Sequence, residues 1–283
     1  PTPENWGPID RPNPVPLSHG TPPSVLSDTL IIPFNDAERA IHLLDEHRND
    51  LACVLLDLMP HRAGLATADP EFVRAIREWT TQHGVLLALD EVITYRCEYA
   101  GLQTRYGLTP DLTALGKMIG GGFPIGAVAG RADVMDVLNP RAPRLRFPHA
   151  GTFSGNPISL TAGLIAMEKF NADAVQRLNS LADRAIVGIR RAIHETGVAA
   201  CVTGTGSMYR VHMKANEPTN YREAYPSPEE SKRLKALLSH LFDAGFVLIN
   251  SGASALSTPM NESDIDAQVE AMRIAFERIV ETG

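Results

Sequence analysis

Apolar residues recur along this chain with two periods, and the switches between them mark out its elements. Between Asp69 and Gly84 the positions Phe72, Val73, Ile76 and Trp79 keep helical spacing. Asp69 is placed to cap that helix, Pro70 to occupy its first turn and Gly84 to stop it. Asn35 with Glu38 reads as a capping box opening a helix from Asp36 to His47. Near-continuous apolar runs, Leu51 to Leu56 and Val85 to Leu89, follow the first helix and the second. Such runs suit strands of a parallel sheet covered on both faces. Ligands of such sheets collect at the carboxyl ends of the strands, which is where Asp57 and Asp90 fall.

Farther along, Gly126 to Ala129 reads as a short strand and Ala132 to Leu138 as a short helix. Asn156 and Pro157 open a helix over Ile158 to Phe170, and Asn171 caps another reaching about Thr196. From Val198 the rhythm changes to short strands, Val198 to Val202 and Ser207 to Met213, and then a loop rich in Pro, Asn and Tyr. Ser227, Pro228 and Glu230 cap a helix ending at Gly245; Phe246 to Ile249 reads as a strand and Asn261 to Glu281 as an amphipathic helix. The expected division is an irregular Pro-rich lead-in over 1–29, a sheet domain over 30–170 and a small α+β domain over 171–283.

Composition narrows the partners. A net charge of −7 over 283 residues leaves no basic surplus for nucleic acid or an anionic membrane. No apolar stretch approaches the roughly 18 residues that span a bilayer. The three scattered cysteines, Cys53, Cys97 and Cys201, suit a reduced cytoplasmic setting, and the nine histidines form no ligand cluster, so no metal is expected.

The chemistry concentrates in two places. Lys117 follows Leu115-Gly116 and precedes the triple glycine Gly120 to Gly122; Asp90 stands 27 residues before it, in Asp90-Glu91-Val92 at the end of an apolar run. A lysine held among apolar residues and glycines is an amine whose charged form is disfavoured, suited to a Schiff base with an aldehyde. A carboxylate at a buried strand end can keep a pyridine nitrogen protonated. Together they are the two protein groups that pyridoxal 5'-phosphate (PLP) requires.

Four blocks extend this pair: Asp90 to Thr94; Thr109 to Lys117 running into the glycines; Pro124 to Arg131; and Gly151-Thr152-Phe153-Ser154-Gly155-Asn156-Pro157. In order and spacing, from about residue 30 onward, the chain resembles the class III, fold type I, PLP-dependent aminotransferases, in particular the glutamate-1-semialdehyde aminomutase-like and beta-amino-acid aminotransferase branches. The resemblance implies an α/β large domain, a mostly parallel sheet flanked by helices, with a small C-terminal α+β domain. It implies that Lys117 carries the cofactor and moves the substrate proton, that Asp90 holds the ring nitrogen and that Val92 packs on the ring. Thr152, with Gly151, is implied to reach the PLP phosphate of a neighbouring subunit, making a homodimer with shared sites. The expected activity is transfer of an amino group between an amino acid or amine and a keto acid. An aminomutase-type isomerase and a PLP-free, non-catalytic paralogue are the alternatives.

Departures from the family bear on substrate. Asp57-Leu58 stands where many members have Glu-Pro, so a contact to the cofactor hydroxyl or a nearby polar group is expected to change. Residues Asn250 to Ser257 carry neither an acidic gate nor an arginine, which leaves Arg62, Arg96 and His61 as candidates for gripping a carboxylate. Roughly a third of the family polypeptide normally precedes the point where Pro1 stands. The chain therefore reads as the C-terminal two-thirds of such an enzyme, and is expected not to suffice for activity alone.

Overall fold

The computed structural model describes residues 1–282. Helix α1 (Pro23–Ser27) interrupts the Pro-rich lead-in, which is anchored by Trp6 packing edge-on against Tyr221 and Tyr225 under the Arg222 guanidinium. Helix α2 (Ala37–Glu46) is capped by Asp36, whose carboxylate accepts the Arg39 amide. The capping box expected at Asn35 does not form, because that side chain is engaged elsewhere. Its amide nitrogen donates to the carbonyls of Thr67 and Thr219, and its oxygen accepts the Asp69 amide. Helix α3 (Pro70–His83) matches its sequence signals: Asp69 accepts the Glu71 amide and Gly84, at φ 66°, terminates it.

Strands β1 (Cys53–Leu56), β2 (Leu86–Asp90) and β3 (Leu112–Gly116) run parallel in that order, and β4 (Gly126–Gly130) lies antiparallel to β3. Val54, Leu56, Leu87 and Leu89 are buried in one cluster with Phe72, Ile76 and Trp79 of α3. Only that face is covered as expected. Cys53, Leu55 and all of β4 are exposed, and among the described residues no helix is long and apolar enough to cross a membrane. Strand β3, which the apolar pattern did not single out, is held by Asp111 just before it. That buried carboxylate accepts the Leu87 amide at 2.8 Å, Arg77 at 3.0 Å and Arg131 at 2.6 Å. Burial alone would raise its pKa; the amide and the two guanidiniums outweigh it and hold the carboxyl below the usual range.

Beyond β4, α4 (Ala132–Met135) leads by a loop to α5 (Pro157–Lys169) and α6 (Ala172–Thr196). A second sheet then forms in the order β5 (Cys201–Thr203), β6 (Met208–His212), β7 (Ala253–Ala255), all antiparallel. Helices α7 (Tyr221–Ala224), α8 (Pro228–Asp243) and α9 (Glu262–Thr282) complete the chain, α8 with the expected Ser227–Glu230 capping box. The strand expected over Phe246 to Ile249 is absent. The Ile249 carbonyl instead accepts the Gly252 amide in a turn with Gly252 at φ 80°, and the following residues take the edge of β6. Apolar side chains of α6, α8, α9, β5 and β6 form a second core, while Met208 and Ala253 join the first.

Candidate active site

Three chemistry-bearing residues leave adjacent strands at one edge of the first sheet. Leu56 pairs with Leu89, so Asp57 and Asp90 follow side by side; Asp90 pairs with Ala114, three residues before Lys117. Both carboxylates fold onto the amide two residues ahead. Asp57 Oδ1 accepts from Met59 at 2.9 Å and Asp90 Oδ1 from Val92 at 3.0 Å, a turn that short acidic side chains favour. Burial pushes the Asp57 carboxyl up to about 7; the Met59 amide opposes that shift, the negative charges of Asp90 and Glu91 add to it, and Lys117 counters them. Val92 packs against the backbone of Gly116, where an added Cβ would stand 3.4 Å from its methyl, and so lies beside the lysine.

Lys117 opens a 3-10 turn, Lys117–Gly120, with φ at 49°. A lysine in the left-handed region costs on the order of 1–3 kcal/mol and persists only where its surroundings dictate it. Here α5 dictates it. A Cβ on Gly121 would meet the Ala162 carbonyl oxygen at 2.3 Å, and one on Gly163 the Ile119 oxygen at 2.1 Å. Ser159 Oγ donates to the Pro124 carbonyl at 2.9 Å, fixing the end of the glycine stretch. The lysine itself is exposed and not enclosed among apolar residues as expected, because the neighbouring β4 and the loop around Gly151 are exposed too.

Glu91, unassigned from sequence, is buried and accepts from the Thr94 hydroxyl and the Leu102 and Gln103 amides. Burial raises its pKa against those bonds, and it fixes the two turns that follow Asp90. Arg96 is not available to a substrate: its Nε donates to Ser207 Oγ at 2.9 Å and its Nη2 to the Leu256 carbonyl, clasping the second sheet. Arg62 is exposed. The His61 ring nitrogen lies 3.2 Å from Ser251 Oγ. Gly151 and Thr152 lie on an exposed loop, in a recess shared with Ile125, Gly126 and Asn156, and apart from the two aspartates.

Residues 18–278 match the family described as aminotransferase class-III. The chain belongs to that family. Its members use PLP, and the α/β architecture here is that of the fold type I enzymes. Among curated relatives, a glutamate-1-semialdehyde 2,1-aminomutase from Akkermansia muciniphila is 37% identical over 93% of this chain and 62% of its own length. Among solved structures, an omega-transaminase from Sphaerobacter thermophilus superposes with a TM-score of 0.93 at 38% identity, over 95% of this chain and 62% of that one. A beta-phenylalanine aminotransferase from Variovorax paradoxus gives 0.82 at 33%, over 87% and 56% respectively. The chain thus spans about 62% of the length of the first two relatives.

Proposed function

We propose that this chain carries the reacting lysine of a PLP-dependent aminotransferase that moves an amino group between an amino acid or amine and a keto acid. The observation that supports it is the convergence of Lys117, Asp90 and Val92 at adjoining ends of β2 and β3. When bound, PLP supplies an electrophilic aldehyde and an electron-accepting ring. In this reading Lys117 would hold the cofactor through its Nζ, and that amine would remove and return the proton at the carbon bearing the amino group. The Asp90 carboxylate would accept the ring N–H, with the hydrogen bond from the Val92 amide holding that carboxylate in place. Val92 would pack on the ring. Asp57 borders Asp90, whose charge adds to the burial that raises the Asp57 carboxyl.

The exposed Thr152 hydroxyl and the Gly151 backbone would serve the cofactor phosphate of a second copy, so the proposed unit is a homodimer with shared sites. Its three cysteines are free, which suits the cytoplasm. The match to the aminomutase supports a second reading, an intramolecular amino shift. A requirement for a separate keto substrate distinguishes the two.

The test is borohydride reduction of the PLP-loaded protein, with peptide mapping. The label is expected on Lys117, and Lys117→Ala is expected to take no label while folding normally, since the residue is exposed. A label on another lysine overturns the assignment.

A further inference from the structure

The Pro-rich lead-in helps to enclose a cavity of about 290 Å³, at the lower edge of the roughly 300–1,000 Å³ of small-molecule sites. Trp6 and Ile9 of the lead-in, Ile31, Ile32 and Phe34 on the approach to α2, and Arg222 of α7 line it. Asp57, Asp90, Lys117 and Thr152 do not border it. Arg222 is fixed in place within this apolar lining. Its Nη2 donates to the carbonyls of Trp6, Gly7 and Pro8 at 3.2, 2.8 and 2.6 Å, and its guanidinium carbon lies 5.0 Å from the centroid of the Trp6 ring. Tyr221 and Tyr225 in turn hold that ring edge-on.

All three of those bonds leave from one nitrogen. Among the described residues, Nε and Nη1 of Arg222 have no hydrogen-bond partner, and neither belongs to the buried atoms left unpaired, so both stay accessible. An occupant that accepts from them does not bear the cost of ordering the side chain. Two carboxylates that also border the cavity decide the charge of that occupant. Asp36 accepts from the Arg39 amide and guanidinium, and Glu223 from Thr219 and Asn220, so neither lacks a donor. Their charges oppose that of Arg222 and leave no positive surplus to attract an anion. An uncharged oxygen acceptor meets the guanidinium without that repulsion.

We propose that this cavity is a second binding site, separate from the candidate active site, for a small uncharged molecule with an aromatic or branched aliphatic body and a carbonyl oxygen. The body packs against Trp6, Ile31 and Phe34, and the oxygen accepts from Arg222. Its walls come from the lead-in, the approach to α2 and α7. An occupant therefore ties the lead-in to the C-terminal lobe and stabilises the folded chain.

Phenylacetamide is the probe, titrated by calorimetry and by fluorescence. Of the two tryptophans in the chain, Trp79 is buried and does not border the cavity, so Trp79→Phe leaves Trp6 to report alone. Trp6 emission is expected to shift to the blue, with the midpoint that calorimetry gives for wild type. Ile31→Trp fills the cavity from a residue already 36% exposed and is expected to weaken calorimetric binding about tenfold or more. Arg222→Met removes the donors and is expected to weaken it by a similar factor. That variant also loses the bonds that hold the lead-in, so Ile31→Trp is decisive where Arg222→Met fails to fold. Phenylacetate, read through Trp6 emission, is expected to bind more weakly than the amide; equal or tighter binding overturns the uncharged ligand class. No saturable binding of phenylacetamide by wild type, binding that Ile31→Trp leaves unchanged, or calorimetric binding without a change in Trp6 emission overturns the site.

Discussion

The C-terminal lobe and the β4–α5 stretch treat their apolar residues in opposite ways. In the lobe, Leu178, Ile189, Tyr209, Val211, Met272 and Phe276 are all fully buried between α6, α9 and the second sheet. In the other stretch, every residue of β4 is exposed, and α5 leaves Ile158 61% and Leu164 60% exposed. Helix α6 is amphipathic, with one buried stripe; α5 is apolar all round and buries only Ser159 and Gly163, where it presses on the glycine turn. The lobe's stability is internal. The face that carries Lys117 and the Thr152 loop leaves its apolar residues exposed, and an apolar surface of that kind is expected to mark an interaction site.

Truncating one aromatic residue on each side tests this contrast at its widest. Phe276→Ala opens a cavity in a sealed core and is expected to cost about 3–5 kcal/mol. Phe153→Ala, at a residue 82% exposed, is expected to change stability by no more than about 0.5 kcal/mol. Urea unfolding of both variants checks the pair; comparable losses would remove the distinction between the two regions.

A smaller effect is expected at the strand ends. Asp57 has its carboxyl raised to about 7, so the folded chain holds this proton over a pH range where the unfolded chain has released it. Stability is therefore undiminished by this group below about pH 4, falls as pH rises toward 7, and stays reduced above that. Asp57→Asn removes the titration. Relative to wild type, the variant is expected to gain roughly 1–3 kcal/mol between pH 5 and pH 8. Unfolding free energies at the two pH values, compared between the two proteins, isolate the term. A gain that runs the other way would mean the carboxylate is stabilised as an anion.

Much of this was legible in sequence, for reasons that differ by element. Helix α3 announced itself because cap, first-turn proline and terminating glycine all agree with the apolar spacing. The end of β2 at Asp90 was legible because the apolar run Val85 to Leu89 precedes it. Strand β3 was not, since Leu112 to Gly116 mixes small and polar residues and is fixed by the distant partners of Asp111. The run Phe246 to Ile249 misled because its apolarity resembles a strand, yet Val247 is 79% exposed and pairing belongs to Ala253–Ala255.

The smallest expected effect on stability concerns α5 itself. Leu164 makes little use of its surface within this chain, being 60% exposed, so Leu164→Glu is expected to alter the unfolding free energy by no more than about 0.5 kcal/mol. Its effect belongs to association. The proposed homodimer would have to bury a charge if it used this face, and burying an unpaired carboxylate is strongly unfavourable. Sedimentation velocity over a range of protein concentrations is the measurement. Wild type is expected to associate as concentration rises and Leu164→Glu to remain dissociated at the same concentrations. Identical association in both proteins, with unfolding unchanged, would show that the face of α5 bearing Leu164 takes no part in assembly.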